Sequence, residues 1–562
     1  MKQTKFVRAY LLIVLSPLFL LTQCGKKDST PGPDPVPSAL LSTGSRIGTT
    51  TASTSAINYN VSATAAIRLK FNNALDRSTV PTSVTIKENG ITNWTVNYTY
   101  ENGDSTLVVT PSSPFKYLTR YFVKATTSLQ SIKKGKLNTE LNFQFQTQID
   151  SSDKFPVITD NALLDLVQNQ TFKYFWDFGH PVSGLARERN SSGETVTAGG
   201  SGFGIMAIPV AVSRNFITRA QGLARMQTIV GFLKNTAQKF HGAFPHWLNG
   251  STGVVIPFSA NDDGADLVET SYLMMGLITA RQYFNGADAA ETNLRADINL
   301  LWNGVEWDWF RQNGKKVLYW HWSPNVAWTM NMPIQGWNEC LITYVMAASS
   351  TTHGIPKAVY DSGFARNGAI VNNNTYYGYQ LPLGAPQGGP LFFSHYSFLG
   401  INPNGLTDAY ANYTTQTKNH TLINYSYCVA NPQNNFGYSN LCWGLTASDI
   451  ENGYTASSPT NDVGVIAPTA AISSIAYTPT ESMNALKFFY YKLGDKLWSN
   501  YGFVDAFSLK SNWFASSTLA IDQGPMIIMI ENYRSGLAWN LFTSAPEVKA
   551  GMQTLGFTAP YL

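Results

Sequence analysis

The hydrophobic period of this chain changes once, and that change limits what it can fold into. From about residue 41 to 149 the period is two: Ile67, Leu69 and Phe71 alternate with Ala66, Arg68 and Lys70, and Tyr121 with Val123 and Phe143 with Phe145 follow the same rule. Beyond Ser151-Ser152-Asp153 the period is that of a helix. Leu163, Leu166, Val167, Phe172, Phe175 and Trp176 share one side of a first segment, and Leu223, Met226, Ile229, Leu233, Ala237 and Phe240 form a stripe after a candidate N-cap at Thr218. Strands bury alternate residues and helices bury a stripe of period about 3.6, so neither pattern can serve the other element. Two modules follow, an all-β one and an all-α one.

In the first module, turn formers such as Asn89-Gly90 and Asn102-Gly103 separate short strands at the spacing of an antiparallel sandwich, predicted over 41–149. In the second, further helices are expected at 264–285, 334–350, 406–418, 479–492 and 525–535. Long loops lie at 241–262, 311–333, 370–404 and 426–462, rich in Gly, Pro, Asn and aromatic residues. Loops of that length in a helical domain usually carry function. Helices in this number, without a repeat of roughly 34 residues, predict hairpins closed into an α/α toroid over 155–562 rather than an open solenoid.

The N-terminus has a different purpose. Lys2, Lys5 and Arg8 precede an apolar run over 10–21, the layout of a secretory signal peptide spanning 1–24. It ends Leu21-Thr22-Gln23-Cys24, similar to a bacterial lipobox, so Cys24 is the expected lipidation site. Residues 25–40, rich in Pro and Gly, read as a tether. The expectation is an exported lipoprotein, anchored to the inner or outer membrane and facing the periplasm or the cell surface. Beyond Cys24 only Cys340, Cys428 and Cys442 remain, so at most one disulfide is available, with Cys428 and Cys442 the nearer pair in sequence; no zinc-type spacing occurs. The net charge is 39 − 35 = +4 with no basic run in the body of the chain, which argues against nucleic acid as a partner. A monomer is expected.

Charged residues make up only 13% of the chain, so acids inside apolar stretches stand out. Asp262, Asp266 and Glu269, in NDDGADLVET, are spaced by four and three residues and would share one face of a helix. Crowded carboxylates cannot all ionise freely, which raises the pKa of at least one and supplies a general acid. Asp at a helix start is more often only a cap, and that reading competes for each acid taken singly. Glu339, in PIQGWNECLITY, is expected in the second turn of a helix begun by Pro333, desolvated beside Trp337. An acid paired with Arg or a backbone donor is the equal alternative. Asp522 leads the apolar run of IDQGPMIIMIEN, where an N-cap is the plain reading. Asp449 and Asp462 lie in a long loop and are candidates for binding hydroxyls. Trp337, Trp443, His246 and His395 stand near these acids and offer the flat faces and polar atoms that suit a sugar. Few Arg and Lys lie near these motifs, which argues against a uronate or phosphate ligand.

The segments NDDGADLVETSYLMMGL, GWNECLITYVMAASS, SHYSFLGINPNGLTDAYANY, WGLTASD and IDQGPMIIMIENYRSG resemble the bacterial glucoamylase-like domain grouped as glycoside hydrolase family 144, and residues 41–149 resemble a bacterial Ig-like domain. The resemblance implies an (α/α)6 barrel, inverting hydrolysis of β-1,2-glucan to sophorose or short oligosaccharides, and no cofactor or metal requirement. It also implies a cleft lined by Asp262, Asp266, Glu269, Glu339 and Asp522. Glu339 is the expected acid, and Asp522, then Asp262, the expected base; release of sophorose from a chain end is slightly preferred to internal cleavage. A glycan-binding lipoprotein without catalysis is the alternative, and a lyase ranks below it.

Overall fold

In this computed structural model residues 36–562 are described; the signal peptide, Cys24 and most of the tether lie outside them. Two compact units divide the chain. One holds the described residues up to Asn58 with Thr64–Pro114 and Arg120–Phe145; the other holds Tyr59–Ala63, Phe115–Thr119 and Gln146–Leu562.

The period-two segments of the first unit become strands β1 (Ser42–Ile47), β2 (Thr50–Thr51), β3 (Ile67–Phe71), β4 (Val84–Glu88), β5 (Thr92–Asn93), β6 (Val96–Glu101), β7 (Thr106–Pro111), β8 (Arg120–Ala125) and β9 (Leu141–Thr147). One sheet runs β2-β1-β3-β7-β6 and a second carries β9-β8-β4-β5 in that order. Antiparallel register sets Leu69 opposite Leu107 and Ile86 opposite Val123, all four buried, so each sheet turns an apolar face inward. The Tyr98 hydroxyl donates to the Val84 carbonyl of the other sheet at 2.7 Å.

Helices dominate the second unit: α1 (Asp160–Trp176), α2 (Ala198–Ser213), α3 (Arg219–Asn235), α4 (Leu267–Tyr283), α5 (Ala289–Asn303), α6 (Leu341–Ser349), α7 (Tyr413–Ala430), α8 (Pro468–Ile472), α9 (Pro479–Lys487), α10 (Ala520–Arg534), α11 (Leu537–Ser544) and α12 (Pro546–Leu555). The expected stripe after Thr218 is α3, and Thr218 closes a capping box with Gln221. Helix α2 is absent from the sequence reading because Gly199, Gly200, Gly202, Gly204 and Pro209 lower its intrinsic propensity. Tertiary packing overrides that penalty. A Cβ on Gly202 would enter the Tyr272 carbonyl and one on Gly276 the Gly202 carbonyl, so α2 and α4 cross backbone to backbone only because both residues are glycine.

Three expected spans are corrected. The helix placed at 334–350 begins only at Leu341, because Gly336 takes φ +84° and the Asn338 side chain accepts from the Cys340 amide as a turn. The one placed at 406–418 is Tyr413–Ala430, started by Asn412, whose side chain accepts from the Thr415 amide. The one placed at 525–535 starts earlier, at Ala520, and carries Pro525 in its interior. Cys340, Cys428 and Cys442 are buried free thiols, so the one available disulfide does not form.

Candidate active site

Asp262, Asp266 and Glu269 do not share a helix face. Asp262 sits in a turn bridged to Ser259, Asp266 is the N-cap of α4 in extended conformation, and only Glu269 is helical. The cap geometry nevertheless converges the three. Asp266 Oδ1 accepts from the Val268 and Glu269 amides at 3.0 and 2.9 Å, which leaves Oδ2 to accept from His246 Nδ1 at 3.1 Å. Asp266 also pairs in register with His321, in the two-residue ladder of β10 (Ala265–Asp266) and β11 (His321–Trp322). His321 Nδ1 thereby lies 3.3 Å from Asp262 Oδ2 and 3.8 Å from Asp266 Oδ2.

Glu269 is held from the other side. Its Oε2 accepts from the Gly199 amide at 2.6 Å and the Thr197 hydroxyl at 3.1 Å, at the N-terminus of α2. A Cβ on Gly199 would stand 2.7 Å from that oxygen, so the approach requires glycine. Burial pushes the Glu269 carboxyl up despite these donors and the nearby His246. Burial also acts to raise Asp266, but its bond from His246 and the charge of His321 bring it below the usual carboxylate range. Burial opposes charge on His246, yet Glu269, Asp266 and Asp262 together carry it up to about 9. Burial of Glu269 and the histidines beside Asp266 thus push two neighbouring acids in opposite directions, as a site with distinct acid and base roles needs.

Glu339, in the turn before α6, joins this cluster. Burial pushes its carboxyl up to about 7, against a bond from its own backbone amide and with help from Asp266 and Glu269. That is the ordinary range of a general acid at neutral pH.

A second acid cluster has formed around Asp522, in the first turn of α10. Asp505 Oδ2 accepts from the Asp449 amide at 2.6 Å, and Asp505 is near enough for its charge to act on Asp522. Asp505 Oδ1 and Asp522 Oδ2 are buried without a hydrogen-bond partner. Burial first, then Asp505, Asp449 and Glu188, hold Asp522 well above the usual carboxylate range. Asp449 itself is bound by Arg189 Nη1 at 3.2 Å and by Ser517 Oγ at 2.5 Å, and Arg189 also pairs with Glu188 at 2.9 Å.

A cavity of about 450 Å³ is lined by Glu269 and His246 of the first cluster, by Glu188 and Arg189, and by Thr197, Trp247, Phe258, Tyr396, Tyr454 and Ile521 among others; Asp262, Asp266, Glu339 and Asp522 are not among its lining residues. Its aromatic wall suits the C–H faces of a sugar: Phe258 is half exposed and stacks on His246 at 4.2 Å between ring centroids, and Trp247 lies 4.8 Å from Phe258.

Several expected binding residues are elsewhere. Trp443 is fully buried, its Nε1 donating to the Glu481 carbonyl, so it belongs to the core. Trp337 is buried against Phe398 and Tyr413. His395 is buried with Nε2 2.9 Å from Ser474 Oγ, and burial pushes its pKa down to about 3, which makes it a neutral structural residue. Asp449 anchors Arg189 instead of lining the cavity, and Asp462 is taken up by Tyr427, Asn435 and Tyr438. Those hydroxyl-binding roles are withdrawn. Among the lining residues, Tyr396 stands in a sequence stretch already rich in aromatic and polar groups, as does His321 outside the lining, whereas Glu188, Arg189, Tyr454 and, outside the lining, Asp505 were missed. Asp505 had a readable signal, an acid inside the apolar GFVDAFSL, the same criterion that singled out Glu339.

The chain is similar to known proteins. The family model described as "Putative glucoamylase" matches residues 331–546, and one described as a bacterial Ig-like domain matches 43–147. An exo β-1,2-glucooligosaccharide sophorohydrolase (non-reducing end) of Parabacteroides distasonis is 44% identical over 437 residues, covering 74% of this chain and 60% of that protein; the chain thus matches less than two thirds of that relative's length. The crystal structure of an endo-β-1,2-glucanase from Chitinophaga pinensis, in complex with sophorotriose and glucose, superposes with TM-score 0.71 at 51% identity, over 72% of this chain and all of that one. A β-1,2-glucanase structure from Parabacteroides distasonis superposes with TM-score 0.70 at 36% identity, over 94% of this chain and 74% of that one.

Proposed function

This chain belongs to the glucoamylase-like family that includes the β-1,2-glucanases of Chitinophaga pinensis and Parabacteroides distasonis, and from that premise we propose that it is a glycoside hydrolase of β-1,2-glucan and its oligosaccharides. The observation that carries the reading is that burial raises two separate acids, Glu339 to about 7 and Asp522 well above its ordinary range, in the unit whose aromatic-walled cavity is lined by Glu269 and Glu188. A protein that only bound glycan would gain nothing from two buried acid clusters.

The proposed reaction inverts the anomeric carbon. Glu339 gives its proton to the glycosidic oxygen as the C1–O bond breaks, while Asp522 takes a proton from the water that attacks C1 from the opposite face. Burial and the neighbouring Asp505 hold Asp522 above the usual carboxylate range, so action of Asp522 as base requires that its proton pass first to a neighbour, with Asp505 the candidate. Asp262 is the second choice for the base.

The scaffold we propose is an (α/α)6 barrel. Supporting it, buried and partly exposed helices alternate along the chain. Helices α2, α4, α6, α8 and α10 and the turn at Tyr396–Leu399 are almost wholly buried, while α1, α3, α5, α7 and α9, each directly preceding one of those helices, keep an exposed side. Buried neighbours also touch in a cycle, α2 with α4, α4 with α6, α6 with Tyr396–Leu399, that turn with α10, and α10 with α2.

Release of sophorose from a chain end is the preferred mode, supported by the activity named for the 44% identical relative. Export and a lipid anchor at Cys24 are proposed from the sequence of residues 1–24 alone. Incubation with β-1,2-glucan, following reducing ends, product length and product anomer with time, tests the proposal. Early sophorose with the anomer inverted supports it, a spread of lengths replaces chain-end release by internal cleavage, and no new reducing ends would overturn hydrolysis.

A further inference from the structure

The acids at the start of α4 lie against two histidines, His246 and His321. His246 Nδ1 is 3.1 Å from Asp266 Oδ2, and His321 Nδ1 is 3.3 Å from Asp262 Oδ2 and 3.8 Å from Asp266 Oδ2. One donor atom from each of His246, Asp262 and Asp266 lies within 4.8 Å of the others. A tetrahedral ion with nitrogen and oxygen ligands at about 2.0–2.1 Å places its ligands about 3.4 Å apart; the His246–Asp266 and His321–Asp262 separations of 3.1 and 3.3 Å are near that value, and the His321–Asp266 separation of 3.8 Å would shorten by a few tenths of an ångström.

A second observation points the same way. His321 is 8% exposed, and its Nδ1 makes no directed hydrogen bond although two carboxylate oxygens lie within 4 Å. An imidazole nitrogen within ion-pair range of two carboxylates, yet without a well-directed hydrogen bond to either, is placed to share a cation with them. The supports are also in place. Asp266 Oδ1 is fixed by two backbone amides, His246 is stacked on Phe258, and the ladder between Asp266 and His321 holds these two opposite each other.

We propose that His246, His321, Asp262 and Asp266 form a binding site for a divalent cation of borderline softness, with Zn²⁺ the best fit. Two imidazoles and two carboxylates suit Zn²⁺ or Co²⁺ over Mg²⁺, which demands six oxygens in octahedral array. Two carboxylate charges cancel the charge of the ion. The ion is not a catalytic cofactor. It ties up His246, a residue of the cavity wall, and neutralises the acids that flank Glu339, so its consequence is inhibition; this last step rests on the hydrolase reading, whereas binding does not.

Zn²⁺ is titrated into the chelator-treated full chain in competition with a chromophoric zinc indicator, and Co²⁺ is added separately to record its visible absorption. Expected are one tight equivalent, the intense bands of four-coordinate Co²⁺, and an unchanged titration in excess Mg²⁺. The variants His321→Gln and His246→Gln should each weaken binding by tenfold or more while keeping the helical circular dichroism; if either fails to fold, Asp262→Asn serves in its place. Absence of saturable binding, weak octahedral-type Co²⁺ bands, or full affinity in the folded variants would overturn the proposal. Tight binding without loss of glucan turnover would leave the site standing and overturn only its inhibitory role.

Discussion

Replacing Glu339 by Gln keeps the shape of the side chain and deletes one transferable proton. Burial, aided by Asp266 and Glu269, holds that proton with a pKa of about 7 against an unperturbed 4.5. The protonated fraction is then about one half at pH 7 and about one tenth at pH 8. In the unaltered protein kcat/KM should fall tenfold per unit above pH 7. In the variant it should be lower by about 10²–10⁴-fold at pH 6, with that alkaline limb absent. Stability should move the other way. Below pH 4.5 the carboxyl is protonated in both folded and unfolded chains and costs nothing. As pH rises from 4.5 to 7 the unfolded chain loses its proton first, so the native state weakens, by at most about 3 kcal/mol above pH 7 for a shift from 4.5 to about 7. Gln has no proton to lose, so the variant should be more stable than its parent at pH 8 and nearly equal to it at pH 4.5. Glucan turnover against pH and denaturant melts at the two pH values measure both arms. Near-parental kcat at pH 6, or a variant less stable at pH 8, would refute the assignment of a desolvated acid at this position.

Asp505→Asn removes the like charge beside Asp522, so the pKa of Asp522 falls and the acid limb of kcat/KM should move to lower pH; an unmoved limb separates the two residues. Gly199→Ala sets a Cβ 2.7 Å from Glu269 Oε2 and should cost about 1–3 kcal/mol, read as a lower Tm, and reduce kcat as Glu269 is displaced. Trp443→Ala should destabilise by about 3–5 kcal/mol while leaving KM for glucan unchanged, since the ring is core; a KM effect in the folded variant would restore its binding role. Cys24→Ser should release the chain from the membrane fraction of an expressing bacterium with unaltered specific activity, because the anchor lies outside the catalytic unit; retention in the membrane would disprove the lipidation site.

The change of hydrophobic period was enough to divide this chain into a β module and a helical one, because period is a local property that strands and helices cannot exchange. The acids at 262, 266, 269, 339 and 522 were legible for a related reason: in a chain with 13% charged residues, a carboxyl in an apolar run has to be paired, capped or used. Which acid meets which partner was not legible. His246 and His321 reach Asp266 across 20 and 55 positions, one by a hydrogen bond and the other by a two-residue ladder; Asp505 reaches Asp522 from a loop 17 positions earlier. Helix α2 was invisible because its glycines are penalised locally and justified only by the carbonyls of α4 pressed against them. Trp337, Trp443 and His395 looked like binding residues because nearness in sequence to an acid says nothing about which way a side chain points. Burial decides that, and burial is a sum over neighbours brought together from the whole chain, which only the tertiary structure specifies.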